Sequence, residues 1–154
     1  MMATFKFRLE KVWRHRRKIV DQNSIALAGA DKRVATLSRQ IVELDRNIDR
    51  YSRSMVSPGG QALQVPDLIA GATWLEHLHD LNEDLDSRLQ IAVKDLDRHR
   101  SRLTESWRDL EVLSRLRDRQ SENWQLDQDR KERKEMDEIG QYRAFRHDGA
   151  KFSP

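Results

Sequence analysis

The sequence predicts an all-α fold: a long antiparallel two-helix coiled-coil hairpin with a C-terminal helical overhang. Three observations carry this. Two apolar stripes recur at alternating four- and three-residue spacing, one on each side of a Pro/Gly break. The composition suits such stripes, with 36% charged residues, 37% apolar residues, six Gly and three Pro in 154 residues. Few turns can be built from so little Gly and Pro, and a narrow apolar seam on a charged helix needs a partner helix to cover it.

Helix one is expected to start near Thr4, read as an N-cap, or Phe5. Its seam places Trp13, Val20, Leu27, Val34, Ile41, Ile48 and Met55 at the a positions. Leu9, Arg16, Asn23, Ala30, Leu37, Leu44 and Tyr51 fall at d. Gly29 lies inside the helix at a cost of about 1 kcal/mol against Ala. Ser57-Pro58-Gly59-Gly60 should end the helix, because Pro removes a donor and clashes with the preceding turn. The linker is expected over 57–66. Helix two should then begin with Pro66 and Asp67 in its first turn, where Pro is tolerated and an acid favours the helix dipole.

In helix two, Leu75, Asn82, Leu89, Leu96, Leu103 and Leu110 take the a positions. Leu78, Leu85, Ala92, His99, Ser106 and Leu113 take d. The helix should continue past Arg117 and Trp124 to a stop at Gly140, with a frayed tail over 141–154. A single coiled-coil domain over 1–154 is expected, with helix one over about 5–56 and helix two over about 67–140. At about 1.5 Å per residue the helices are far longer than a ten-residue linker can span, so they must run antiparallel. Facing residues should have numbers adding to about 126, which sets Ile41 against Leu85 and Ile48 against Leu78. Arg16, Asn23, His99, Ser106 and Arg117 make the seam polar toward the chain ends. They either fix the register or leave that pole open to a partner.

Charge is uneven although the net value is only +3. Residues 1–20 hold seven basic side chains and one acid, whereas residues 75–97 hold seven acids and two bases. The chain has no cysteine, which excludes disulfides, thiolate zinc sites and thiol nucleophiles. No apolar run approaches the ~20 residues of a membrane span. Met1–Lys18 lacks the apolar core of a signal peptide. A chain free in the cytoplasm is expected.

No catalytic pattern emerges. Gly59-Gly60 is not followed by Lys-Ser or Lys-Thr, so there is no phosphate-binding loop. Glu76-x-x-His79 has the spacing of a di-iron helix but no second copy, and two helices cannot enclose a metal. His15, His77 and His147 form no pattern, and His99 is a seam residue. Asp84 and Asp86 lie two apart and do not face each other on a helix. No enzyme activity, cofactor or metal is expected. A basic helix entering a heptad seam is also the layout of a basic-zipper DNA reader, and Asn23-x-x-Ala26 echoes its base-contacting pair. The basic cluster stops at Lys18, however, and Asp31 puts an acid where a base should meet phosphate. No nucleic acid is expected as a partner.

Three stretches resemble the flagellar export protein family FliJ, the coiled-coil component of the flagellar type III secretion ATPase complex. They are Phe5-Lys6-Phe7-Arg8-Leu9-Glu10-Lys11-Val12, then Ser106-Trp107-Arg108 with Arg117-Asp118-Arg119-Gln120, and finally Arg133-Lys134-Glu135-Met136-Asp137-Glu138-Ile139-Gly140-Gln141. The resemblance implies an antiparallel coiled coil similar to the gamma-subunit stalk of rotary ATPases. It implies three partners: the hexameric export ATPase, the membrane protein of the export gate, and export chaperones. It also implies a free monomer without membrane insertion, held at the cytoplasmic face of the inner membrane at the flagellar base. The pole bearing both termini would dock in the ATPase ring through Lys11, Arg14, Arg16, Arg17, Lys18, Arg117, Lys134, Met136, Asp137 and Glu138. The opposite pole would meet the gate through Gln40, Leu44, Asn47 and Tyr51, where Asn47 departs from the family's aromatic residue. Trp74 and Trp107 either widen the seam or serve as exposed anchors. The alternatives are the stalk of a virulence secretion system or an unrelated scaffold.

Overall fold

The computed structural model describes residues 4–56 and 64–149. Two α-helices account for nearly all of them, α1 (Glu10–Val56) and α2 (Val65–Gly149), in an all-α helical hairpin. The chain divides into two units. One is Ile19–Trp107, and the other combines Met1–Lys18 with Arg108–Pro154.

In the unit Ile19–Trp107, the seam is where the spacing puts it. Val20, Ala30, Leu44, Leu78 and Leu96 are buried, and the remaining apolar seam residues are half-buried. Among the described residues no side chain is below 2% exposed. Two helices alone leave every seam residue open on a flank. Each well-buried Leu still contributes about 1.5–3 kcal/mol.

Polar contacts fix the register. Asn82 Nδ2 donates to Asp45 Oδ1 at 2.9 Å, and Asn23 Nδ2 reaches the Arg102 carbonyl at 3.5 Å. Both pairs add to within one of the expected sum. A misaligned helix would leave these groups against apolar neighbours, which is how a polar seam residue selects one alignment. Buried Ser106 instead donates to the Leu103 carbonyl at 2.9 Å, within its own helix.

Gly71 is buried beside the last turns of α1. A Cβ there would lie 2.5 Å from Met55 Cε, 2.9 Å from Met55 Sδ and 3.3 Å from Tyr51 Oη. The missing side chain therefore admits Met55 to the seam. Gly29 has open space around it.

In the other unit, residues 10–18 of α1 pair with the part of α2 that starts at Arg108. Helix α1 starts at Glu10, not near Thr4 or Phe5. The Glu10 N–H donates to the Phe7 carbonyl at 3.2 Å, and the first helical bond runs from Trp13 N–H to the Leu9 carbonyl at 2.9 Å. Phe7 is buried, and the Phe5 ring packs tilted against Trp124, with centroids 6.2 Å apart. Residues two apart share a face in extended chain but lie far apart around a helix, so packing both rings inward excludes a helix here.

The C-terminal end also differs. Helix α2 passes through Gly140 and continues to Gly149, where a stop and a frayed tail were expected. A lone Gly costs about 1 kcal/mol, which the surrounding helix formers offset. The start of α2 keeps Pro66 and Asp67 in the first turn, with the Asp67 and Leu68 N–H groups donating to the Gln64 carbonyl at 3.0 and 3.1 Å. The expected terminator Ser57-Pro58-Gly59-Gly60 lies outside the described residues.

Candidate functional site

The basic start of α1 is organised around Trp13. This ring sits at an a position, half-buried against α2. Its Nε1–H donates to Ser114 Oγ at 2.9 Å. The Arg117 guanidinium lies over the ring at 4.7 Å and that of Arg17 at 5.5 Å. Glu10 joins the same cluster, bonding Arg14 and Arg117 at 3.4 Å each. One turn on, Arg16 crosses to Asp109 at 3.1 Å. Arg16 and Arg117 are thus paired across the two helices, as Asn23 is further along, whereas Ser106 bonds within its own helix; the three cross-helix pairs favour the register reading.

These pairs sort the basic residues into two groups. Arg14, Arg16 and Arg117 are engaged by carboxylates. Lys11, Arg17 and Lys18 are exposed and form no ion pair among the described residues. Pairs this exposed contribute about 0–1 kcal/mol each. The Lys side chains at 11 and 18 can meet an incoming acid without breaking anything in the chain.

The rest of the expected docking set lies elsewhere along α2. Lys134, Met136, Asp137 and Glu138 are all exposed, and Lys134 is roughly 25 Å beyond Arg117 at about 1.5 Å per residue. The structure does not bring them to the Trp13 cluster. Every described side chain after Gln128 is exposed.

The expected gate set occupies one stripe of α1. Gln40 and Asn47 are exposed, Leu44 is buried in the seam, and Tyr51 is half-buried with its hydroxyl beside Gly71. Only Gln40 and Asn47 offer their side chains freely to a partner. Trp74 and Trp107 face outward, about half exposed, and so do not widen the seam; Trp74 lies tilted against His77, with centroids 5.5 Å apart. Glu76 and His79 are both exposed, and no cluster that could hold a metal occurs among the described residues. No helix among the described residues is long and apolar enough to cross a membrane.

Sequence reasoning missed the clamp on Trp13, the bridging role of Glu10, and Gly71. The register already set Trp13 opposite residues 113–114, so Ser114 was within reach. The direction of the arginine side chains was not.

A model of the family described as Flagellar FliJ protein matches residues 5–149. Comparison with curated proteins and with solved structures returned no match.

Proposed function

The chain belongs to the flagellar FliJ family, a non-catalytic component of flagellar protein export, and from that membership we propose that it acts as a stalk on the hexameric export ATPase. In this reading the stalk couples the ATPase to the export gate and engages export chaperones. It works in the cytoplasm, peripherally attached at the inner membrane. Lys11, Arg14, Arg16, Arg17 and Lys18 meet the ring first, with Arg117 beside them. Lys134, Met136, Asp137 and Glu138 add contacts further along α2. Gln40 and Asn47 meet the gate directly, while Leu44 and Tyr51 hold the helix that presents them.

The observation that carries the reading is the one-sided charge of the α1 start. A cationic helix face steers toward a ring opening lined with carboxylates or carbonyls and raises the association rate. The Trp13 cluster holds that face against α2 before the partner arrives, so less ordering is needed on binding.

The test is co-purification with the export ATPase followed by an ATPase assay. Retention on the ATPase and faster hydrolysis are expected. No retention at physiological ionic strength, together with unchanged hydrolysis, would overturn the proposal.

A further inference from the structure

The end of α2 carries a second seam that nothing in the hairpin covers. Glu135, Ile139, Tyr142 and Arg146 follow the same four–three–four spacing as the main seam. Together with Glu138 and Arg143 they line one open flank of the helix. Ile139 is 51% and Tyr142 80% exposed; Met136 and Phe145 are exposed as well but lie outside this flank. Neither Glu135 nor Arg146 has an ion-pair partner among the described residues.

The stripe has the same pattern from either end, a charge at each edge with two apolar residues between, and the two charges are opposite in sign. An acid opens it, a base closes it, and two apolar residues lie between. We propose that this stripe pairs antiparallel with the same stripe of a second copy of the chain. In that arrangement Glu135 of each chain faces Arg146 of the other, and the two Ile139 and two Tyr142 side chains meet around the dyad. A parallel pair would set Glu135 against Glu135 and Arg146 against Arg146, which like-charge repulsion disfavours. Because a two-fold contact is self-complementary, one stripe suffices to close the dimer.

The contact covers only three turns of helix and lies below the size of a stable interface, so the dimer is weak and forms only at high protein concentration. This departs from the monomer expected from the sequence. It goes beyond the stalk reading and competes with it for Met136, Asp137 and Glu138, which lie in the same stretch.

The experiment is sedimentation equilibrium of the full chain from about 10 to 500 μM at low salt, with circular dichroism to check helix content. A concentration-dependent dimer is expected. Glu135→Arg alone or Arg146→Glu alone should weaken it about tenfold, since each removes both charge pairs, and the double variant should restore it. The chain has no cysteine, so introduced thiols report orientation without background. A mixture of Glu135→Cys and Arg146→Cys chains should cross-link readily, and either chain alone poorly. A monomer at every concentration, a dimer indifferent to the single reversals, a double reversal that fails to restore pairing, or cross-linking of Glu135→Cys with itself would each overturn the proposal. The ATPase is absent from this experiment, so failure here leaves the stalk reading standing.

Discussion

Replacing Trp13 with Ala is expected to lower stability by about 3 kcal/mol, the low end of the range for a large aromatic because the ring is half-buried. Three losses add up. The Nε1–H bond to Ser114 goes, at about 1 kcal/mol. The stacking of Arg17 and Arg117 on the ring goes, at about 0.5–1 kcal/mol each for exposed cations. The apolar area of the indole returns to water. Trp13→Phe keeps a smaller ring for both guanidinium groups and loses the N–H donor with part of the apolar area, so it should cost about 1–2 kcal/mol, less than the Ala variant. Urea denaturation gives the totals. Amide hydrogen exchange gives the location, because protection should fall over residues 10–18, whose pairing with α2 rests on this ring. Equal losses for the two variants would mean that the hydrogen bond, not the ring, holds the helices together there.

Leu44→Ala is expected to cost about 2–3 kcal/mol, because the side chain is only 8% exposed and its removal leaves a gap between the helices. Gln40→Ala and Asn47→Ala, on the exposed rim of the same stripe, should stay within about 0.5 kcal/mol of the parent chain. For the proposed gate contact, the contrast separates two kinds of defect. A variant at Leu44 that weakens gate binding does so through a loosened hairpin, and the loss should follow thermal stability. A variant at Gln40 or Asn47 that weakens it removes a contact. Binding measured below and near the melting transition distinguishes the cases.

Much of the fold was legible because one periodicity governs it. Every a and d residue read from Leu9 to Met55 and from Leu75 to Leu113 is buried or half-buried. A coiled coil has little else to encode, so spacing and the position of the turn set the partners. The misreadings fall where a different rule takes over. Phe5-x-Phe7 is an extended-chain spacing that was absorbed into the helix pattern. Gly140 was given the weight of a stop, but no residue after it demanded one and α2 ran through to Gly149. Gly71 was passed over because its role depends on the reach of Met55, which no spacing reports. The basic start was visible as composition. What stayed hidden was its division into engaged arginines and available lysines, since that depends on where Glu10 and Asp109 point.

That division also identifies the best probe of the stalk reading. Reversing Arg14 or Arg16 would break ion pairs inside the chain, so any loss of binding would be ambiguous. Lys11 and Lys18 are exposed and form no ion pair among the described residues. The decisive measurement is therefore the affinity of the Lys11→Glu/Lys18→Glu chain for the purified export ATPase, beside the parent chain and with matched melting curves. A loss of about tenfold or more, shrinking as salt rises, is predicted from removal of two attractive charges and their replacement by repulsive ones. An affinity within about twofold of the parent at every salt concentration would contradict docking through this basic face.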